Sequence, residues 1–323
     1  MSNDYSTTTT SNWDTTAYEQ LAYFAFRPEN YFDGFCDVKP TRQSHPGAIV
    51  NFNVTSDLTV VSTAINQSVD VDSVAVTDTN VTVTLNEYAN VAKSTKKLRG
   101  TSYLPVDAVL ANLIAYNAGV SIDTIVRDVA KGGSNVRYVG GATSRTTVES
   151  SDDFGASVAS TGSTLIRRSV AELRGANVPT IGGSYVGVIH PDVSFDLRGA
   201  TGGANWRDPH TYSAPDAIFN GEIGMFEGVR FLESPRAPYF QDAGSSTTLT
   251  DVYATLIFGQ QALAKAWSIT DGGSPMPSVF PTPVVDNVRR FLGAAWYHLV
   301  GYGIFRQESL RRIESASSIG ANA

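Results

Sequence analysis

The feature that most constrains this fold is a long stretch of helical periodicity over residues 104–131. Apolar side chains recur there at intervals of three and four residues and keep one continuous stripe. Pro105 suits the first helical turn, and Gly132-Gly133 suits the stop. At ~1.5 Å per residue this helix would be about 40 Å long, so it could brace a whole domain. The rest of the core must be built around it.

A β-rich region precedes the helix. Residues 49–54 and 81–85 both alternate apolar with polar side chains, which predicts two strands. Residues 66–78 between them alternate valine with polar residues but are thinly hydrophobic. Because a lone two-stranded hairpin is marginally stable in water, this one must be held by something beyond itself. We predict a long hairpin that projects from the core.

The chain after residue 132 mixes helix and strand patterns. We predict helices over 164–176, 191–197 and 260–267, and strands over 136–139, 185–189, 229–232, 252–258 and 291–305. The last segment is predicted as a long strand because Gly293, Gly301 and Gly303 interrupt any helical pattern. The fold class is therefore α+β.

The first 47 residues do not have the pattern of a compact unit. Residues 6–11 are rich in hydroxyl side chains and have little to bury, which predicts an extended arm. The arm then carries an aromatic segment over residues 17–26, including Tyr18, Tyr23 and Phe24. Side chains of this kind favour packing over exposure to water. We expect the arm to dock on its own body or on a neighbouring subunit.

The composition excludes several classes of protein. Among 323 residues, 24 Lys+Arg and 31 Asp+Glu give a net charge of −7, which argues against a protein built to grip DNA phosphates. No uninterrupted apolar run reaches the ~18 residues of a membrane helix, so we expect no membrane partner. The N-terminus lacks a secretory signal pattern, and the lone Cys36 excludes a disulfide framework or multi-cysteine metal site. We expect a soluble, non-secreted chain.

The sequence contains no recognisable active site. None of the four histidines forms a close ligand pair, and neither a phosphate-binding loop nor a serine nucleophile elbow is present. We therefore expect no catalytic residues, no metal and no cofactor. An alternative is a hydrolase that uses His190 and Asp192, although no nucleophile for it can be found. Otherwise the His190-Pro191-Asp192 tripeptide shapes a turn from strand to helix.

Six motifs resemble the coat-protein family of the N-four-type phages, within the Hong Kong 97-type major capsid fold of tailed bacteriophages. They are LNEYA (85–89), AYNAGVSIDTIVRDVA (115–130), NVRYVGGATSR (135–145), LRGANVP (173–179), YVGVIHPDVSFDLR (185–198) and YSAPDAIFNGEIGMFEGVRF (212–231). The resemblance covers about residues 80–316, and Glu227 stands where the family often has glycine. The N-terminal third is similar by order of parts only.

The resemblance implies a Hong Kong 97-like capsid fold with five parts. Residues 1–47 would be the N-terminal arm and 48–102 the extended loop, a β-hairpin. Residues 103–159 would form the peripheral domain, with its spine helix at 104–131. Residues 160–288 would form the axial domain, and 289–323 would return to the peripheral domain and the C-terminus.

The resemblance further implies a major capsid protein that self-assembles into pentamers and hexamers of an icosahedral shell around double-stranded DNA, without sequence-specific binding. Scaffolding and portal proteins are implied partners, and a cement protein is a further candidate. The localisation implied is the virion capsid, assembled in the host cytoplasm. The alternative within the same fold is an encapsulin-like compartment shell.

Three groups of residues are candidates for contacts between subunits. The arm supplies Tyr18, Tyr23 and Phe24, and the hairpin supplies Asp70, Asp72 and Val74. The densest basic cluster of the chain supplies Lys93, Lys96, Lys97 and Arg99. This cluster has two interpretations, a solvated face or a docking patch for acidic residues of a neighbour such as Asp70 and Asp72.

Overall fold

A computed structural model gives the fold. It describes residues 32–41, 49–55, 58, 60–62, 64–65, 67–68, 70, 73–102, 106–155, 162–199, 222–245, 249–268, 275–283 and 286–319. The strands in these ranges are β1 (Asp37–Thr41), β2 (Ile49–Thr55), β3 (Asp78–Thr84), β4 (Asn86–Thr95), β5 (Val136–Tyr138), β6 (Tyr185–Ile189), β7 (Glu222–Phe226), β8 (Val229–Glu233), β9 (Tyr239–Phe240), β10 (Val252–Phe258), β11 (Leu263–Ser268), β12 (Ser278–Pro281), β13 (Phe291–Ile304) and β14 (Leu310–Ser315). The α-helices are α1 (Lys96–Thr101), α2 (Val106–Lys131), α3 (Gly162–Gly175) and α4 (Pro191–Gly199).

The strands form three sheets. A seven-stranded sheet has the order β5-β14-β10-β6-β8-β7, with β9 paired to β10. A five-stranded sheet has the order β1-β11-β13-β12, with β4 paired to β13. The antiparallel pair β2-β3 forms the third, in register from Ile49 opposite Thr84 to Thr55 opposite Asp78. The fold is thus mixed α+β, as predicted.

Helix α2 joins the two large sheets. Near its N-terminal end, Ile114 and Ala118 pack against Trp296 of the five-stranded sheet. Near its C-terminal end, Ile122 and Val126 pack in one cluster with strands β6 and β10 of the seven-stranded sheet. The opposite face of the seven-stranded sheet is covered by α3 and α4. The predicted bracing helix is therefore confirmed, although it begins at Val106 and residues 103–105 lie outside the described ranges.

By length and composition α2 could also cross a membrane, contrary to the expectation that the chain has no such stretch. The helix contains no unbroken apolar run of that length, because polar residues interrupt it at Asp107, Asn112, Asn117 and Asp123. Its buried residues nevertheless pack on the two sheets, as those of a core helix do.

A buried ion network fixes the C-terminal end of α2 to β14. The Glu314 side chain is 0% exposed and lies between two guanidinium groups. Arg145 donates from Nε and Nη2 at 2.9 and 2.8 Å, and Arg312 Nε lies 2.8 Å away. Arg312 also donates to the carbonyl of Lys131, the last residue of α2. The Phe240 ring lies beneath the cations, 3.3 Å from the Arg145 guanidinium carbon.

Most predicted elements after α2 are confirmed, including the long strand β13, but the helix predicted over 260–267 is wrong. Residues 263–268 form β11 instead, between β1 and β13. Alanines at 262, 264 and 266 favour a helix locally. Pairing on both edges and burial of Leu263, Ala264 and Ala266 override that preference.

The hairpin is shorter than its sequence pattern predicts. Strands end at Thr55 and resume at Asp78, and the described residues between them have no strand structure. The described residues of this alternation before Asp78, among them the exposed Val74 and Val76, form no strand. We call residues 58–77 the tip loop.

The turn between β7 and β8 explains the glycine expected at position 227. Glu227 and Gly228 both have positive φ, 52° and 84°, as a two-residue type I′ hairpin turn requires. Glycine adopts this conformation at little cost, whereas glutamate is strained. The Glu227 carboxylate accepts hydrogen bonds from Arg167 at 3.0 and 3.2 Å, which offsets part of that strain.

Candidate subunit-contact surfaces

The tip loop is the most exposed apolar segment of the described chain. Its large apolar side chains lie mostly in water, and Val60 is 87% exposed. The exposed residues are Leu58, Val60, Val61, Ile65, Val74 and Val76. Single exposed apolar residues are common on proteins, but a cluster of this kind marks a contact with another molecule. Asp70 is exposed on the same loop, and Asp72 lies outside the described residues.

The base of the hairpin is held by its own subunit. Val50, Phe52 and Val83 pack in one cluster with Ala264 and Ala266 of β11. The Phe52 ring also contacts the Phe305 ring, with centroids 5.5 Å apart. Because a side chain at residue 301 would clash with the carbonyl of Thr84, Gly301 lets the hairpin cross β13 closely. The base of the hairpin is therefore supported by its own subunit.

The basic cluster contains one arginine that is bound within its own subunit and three lysines that are exposed. Arg99 forms an ion pair with Asp107 and donates to Ser94 Oγ at 3.0 Å, so it ties α1 to its surroundings. Lys93 on β4 and Lys96 and Lys97 on α1 are exposed. Among the described residues no ion pair is formed by these three lysines. We call them the basic surface.

An anchor for the arm, which the sequence did not predict, lies at residues 32–36. Phe32 is fully buried, and its N–H donates to Asp123 Oδ1 of α2 at 3.0 Å. The Asp33 carboxylate lies 2.5 Å from the buried Lys265 Nζ and accepts a 2.7 Å hydrogen bond from Tyr302. Burial and the neighbouring Asp33 raise the pKa of Tyr302, which keeps its hydroxyl protonated as a donor. Tyr18, Tyr23 and Phe24 lie outside the described residues.

The His190 group caps α4. The backbone N–H of Asp192 donates to His190 Nδ1 at 3.3 Å, and Tyr253 donates to Asp192 Oδ2 at 3.0 Å. The Ser194 hydroxyl donates to the carbonyl of Pro191 and to Glu233, so it is not poised on the imidazole as a nucleophile would be. The arrangement satisfies the first turn of a helix, which agrees with the turn-shaping interpretation of the tripeptide.

The His190 cap leads to a testable prediction about the stability of the fold at acidic pH. Burial lowers the pKa of His190 below its usual value despite the opposing charge of Asp192. As pH falls below about 6.5, the unfolded chain therefore binds a proton that the folded chain resists, and stability drops. In His190→Asn the amide oxygen can still accept the Asp192 N–H, so the loss at pH 7.5 should be at most about 1 kcal/mol.

The measurement is thermal unfolding at pH 7.5 and pH 5.5. The melting temperature of the variant should fall less between these two values than that of the native chain. Equal falls would show that another group carries the acid sensitivity.

Within the described ranges no group of three or more His, Cys, Asp or Glu side chains converges as metal ligands would.

Lys131 is the final residue of α2, and its pKa is lowered by burial, although Asp128 opposes the shift. Its Nζ donates to the carbonyl of Tyr239 at 2.9 Å, so Lys131 links the C-terminal end of α2 to β9.

One family model matches most of the chain. Residues 7–319 match the family model described as phage capsid protein. A search of curated proteins finds no match. Nothing in the comparisons supports the compartment-shell or hydrolase alternatives.

Solved structures share the fold at low sequence identity. The capsid of Ralstonia phage GP4 has a TM-score of 0.70 at 16% identity, covering 89% of this chain and 88% of that one. The capsid of cyanophage Pam1 has a TM-score of 0.67 at 11% identity, covering 93% of each chain. The capsid of cyanophage P-SCSP1u has a TM-score of 0.64 at 13% identity, covering 90% and 89%. The Hong Kong 97-like fold predicted from the motifs is thereby confirmed.

Proposed function

Because the chain belongs to the phage capsid protein family and is a major capsid protein of the phage head shell, we propose that it assembles as pentamers and hexamers of an icosahedral shell. Its task is to associate with copies of itself rather than to turn over a substrate. The proposal includes no cofactor and no catalytic residue, in keeping with the structural role of the family.

The observation that carries the proposal is the contrast between the two ends of the hairpin. Its base is buried against β11, while its tip loop exposes a cluster of large apolar side chains. A loop of this composition gains free energy only when another surface covers it, at about 25 cal/mol per Å² of apolar area. In a shell of identical subunits the adjacent copy is the surface always present.

Charge complementarity indicates a role for the basic surface. We propose that Asp70 and Asp72 of one subunit face Lys93, Lys96 and Lys97 of a neighbour. Exposed charge pairs contribute only about 0–1 kcal/mol each, so they would set orientation while apolar side chains such as Val74 supply most of the binding. Arg99 is proposed to support this surface from within its own subunit. The whole interface would bury roughly 2,000–5,000 Å², as obligate assemblies do.

The sheets suggest a revised domain assignment. We propose that the seven-stranded sheet with α3 and α4 forms the axial domain, and that the five-stranded sheet with α2 forms the peripheral domain. Strands β4, β11 and β12 then belong to the peripheral domain, and β5 and β14 belong to the axial domain. The extended loop is limited to the hairpin of β2 and β3 and its tip loop. This regrouping follows strand pairing instead of the sequence ranges 48–102, 103–159, 160–288 and 289–323.

The net charge of −7 suits a wall that encloses packaged double-stranded DNA, because strong attraction would hinder packing and release. Scaffolding and portal proteins are proposed partners during assembly in the host cytoplasm, and a cement protein is a further proposed partner. Each is inferred from the family and not from a contact in this chain.

The test of the proposal is the state of association of the native chain. In the presence of its scaffolding protein, the chain should sediment as closed particles of uniform size. A stable, folded monomer under the same conditions would contradict the proposal.

A further inference from the structure

Helix α2 carries an apolar stripe that its own domains leave uncovered. Val109, Leu113 and Tyr116 are between 42% and 57% exposed, although the opposite face of the helix is buried. Residues at these spacings lie on one side of a helix. Arg236 donates to the Tyr116 hydroxyl at 3.0 Å and borders the stripe at its C-terminal end. We call these three residues the helix stripe.

The arm enters the described structure at the same helix, C-terminal to the helix stripe. Phe32 is buried against Ile122 and Val126, and its N–H donates to Asp123. Tyr116 and Val109 precede Asp123 by seven and fourteen residues, which are two and four helical turns, so they lie on the same side of the helix. Asp123 is itself buried, so the Phe32 anchor lies at the edge of the buried face of α2, about two helical turns from the nearest residue of the helix stripe, Tyr116.

The reach of the arm matches the distance along α2 from Asp123 to Val109. Val109 lies about 21 Å along the helix from Asp123, at ~1.5 Å per residue. Phe24 and Phe26 precede Phe32 by eight and six residues, a reach of about 20–26 Å for an extended chain. The aromatic segment of the arm can thus cover the helix stripe without leaving its own subunit.

We propose that the aromatic segment of the arm, residues 23–26, packs on the helix stripe of the same subunit. Apolar side chains on both partners would be removed from water together, and the anchor at Phe32 and Asp33 keeps the two segments close. This assigns Tyr23 and Phe24 to a contact within the subunit, in place of the contact between subunits expected from the sequence. Tyr18, farther along the arm, remains a proposed contact with a neighbour.

Site-specific photo-cross-linking in assembled particles tests this assignment. Phe24 is replaced by the photoreactive analogue benzoylphenylalanine, and the products are separated by mass and mapped by peptide sequencing. The cross-link should join residue 24 to residues 109–116 in a product with the mass of one chain. A product with the mass of two chains would assign the stripe to a neighbour's arm and overturn the proposal, as would cross-links that map elsewhere.

A matched pair of substitutions checks that the stripe itself is responsible. Leu113→Asp should abolish the cross-link, because a carboxylate cannot be buried under an aromatic segment without loss. Phe195→Asp, at a residue of similar exposure on α4, should leave it unchanged. A cross-link that survives Leu113→Asp would contradict the proposal. Particle formation is scored separately in each variant, so a failure of shell assembly is distinguishable from a failure of this contact.

Discussion

Replacement of the tip loop, residues 58–77, by a short Gly/Ser turn is expected to abolish closed shells while leaving the body folded. The packing of Val50, Phe52 and Val83 on β11 does not involve the loop, so β2 and β3 should still pair. The apolar side chains of the loop, among them Val60 and Val61, are exposed within the subunit, so their removal costs the isolated fold little. In the proposed interface, the same removal would deprive the neighbouring subunit of its apolar contact.

The measurement combines circular dichroism with electron microscopy of the particles. A smaller change, the double substitution Val60→Ser with Val61→Ser, should also reduce the yield of particles. Its control is Met225→Ser, which changes an exposed apolar side chain on β7 and should assemble normally. Normal particles at normal yield from the loop replacement would show that the tip loop is not a contact between subunits.

The second large effect is expected at Glu314. Glu314→Gln retains the shape of the side chain but leaves Arg145 and Arg312 without a compensating buried charge. Breaking a buried ion pair by removal of one partner costs about 3–5 kcal/mol, and the partial exposure of Arg145 favours the lower end of that range. Arg145, Arg312 and Lys131 also surround the Phe240 ring, so their mutual repulsion would increase.

Denaturant unfolding of the subunit measures this cost. The matched control is Glu308→Gln, which breaks an arginine–glutamate pair whose carboxylate side chain is 63% exposed. The control should lose less than about 1 kcal/mol, because water replaces an exposed partner. Equal losses for the two variants would show that burial of Glu314 has no energetic consequence.

The parts of the fold that the sequence predicts correctly are those determined by local pattern. The apolar stripe of α2 and the continuous apolar runs of β6 and β10 each identify their element, because burial of a whole face or of both faces leaves a periodic signal. The glycines of β13 likewise indicate a strand correctly, and the structure shows the reason at Gly301, where the hairpin crosses.

The elements and contacts that the sequence does not predict depend on partners distant along the chain. Residues 263–268 become a strand because β1 and β13 pair with them, whereas the described residues between Thr55 and Asp78 form no strand although valines alternate there. The anchor of Asp33 joins residues 232 and 269 positions away, Lys265 and Tyr302. A single aspartate near the N-terminus carries no local signal of such partners.

The structure gives the surroundings of some of the contact residues predicted from composition, and their contacts with other subunits stay predictions. The basic cluster is real, but its sequence does not separate Arg99, which is paired with Asp107, from the three exposed lysines. The hairpin is predicted to contact a neighbour through Asp70, Asp72 and Val74, with apolar contacts carrying more of the interface than the charges. The structure shows in addition a set of exposed apolar side chains on the tip loop, which offer more binding free energy than the charges.

The central claim, that the tip loop is a contact between subunits, is tested most directly by an electron-microscopy reconstruction of the native particle in which each chain is traced. We predict that residues 58–77 of every subunit lie against an adjacent subunit, with Val60, Val61 and Val74 removed from solvent and Asp70 facing its basic surface. A reconstruction in which the tip loops extend into solvent, without contacting an adjacent chain, would contradict the claim.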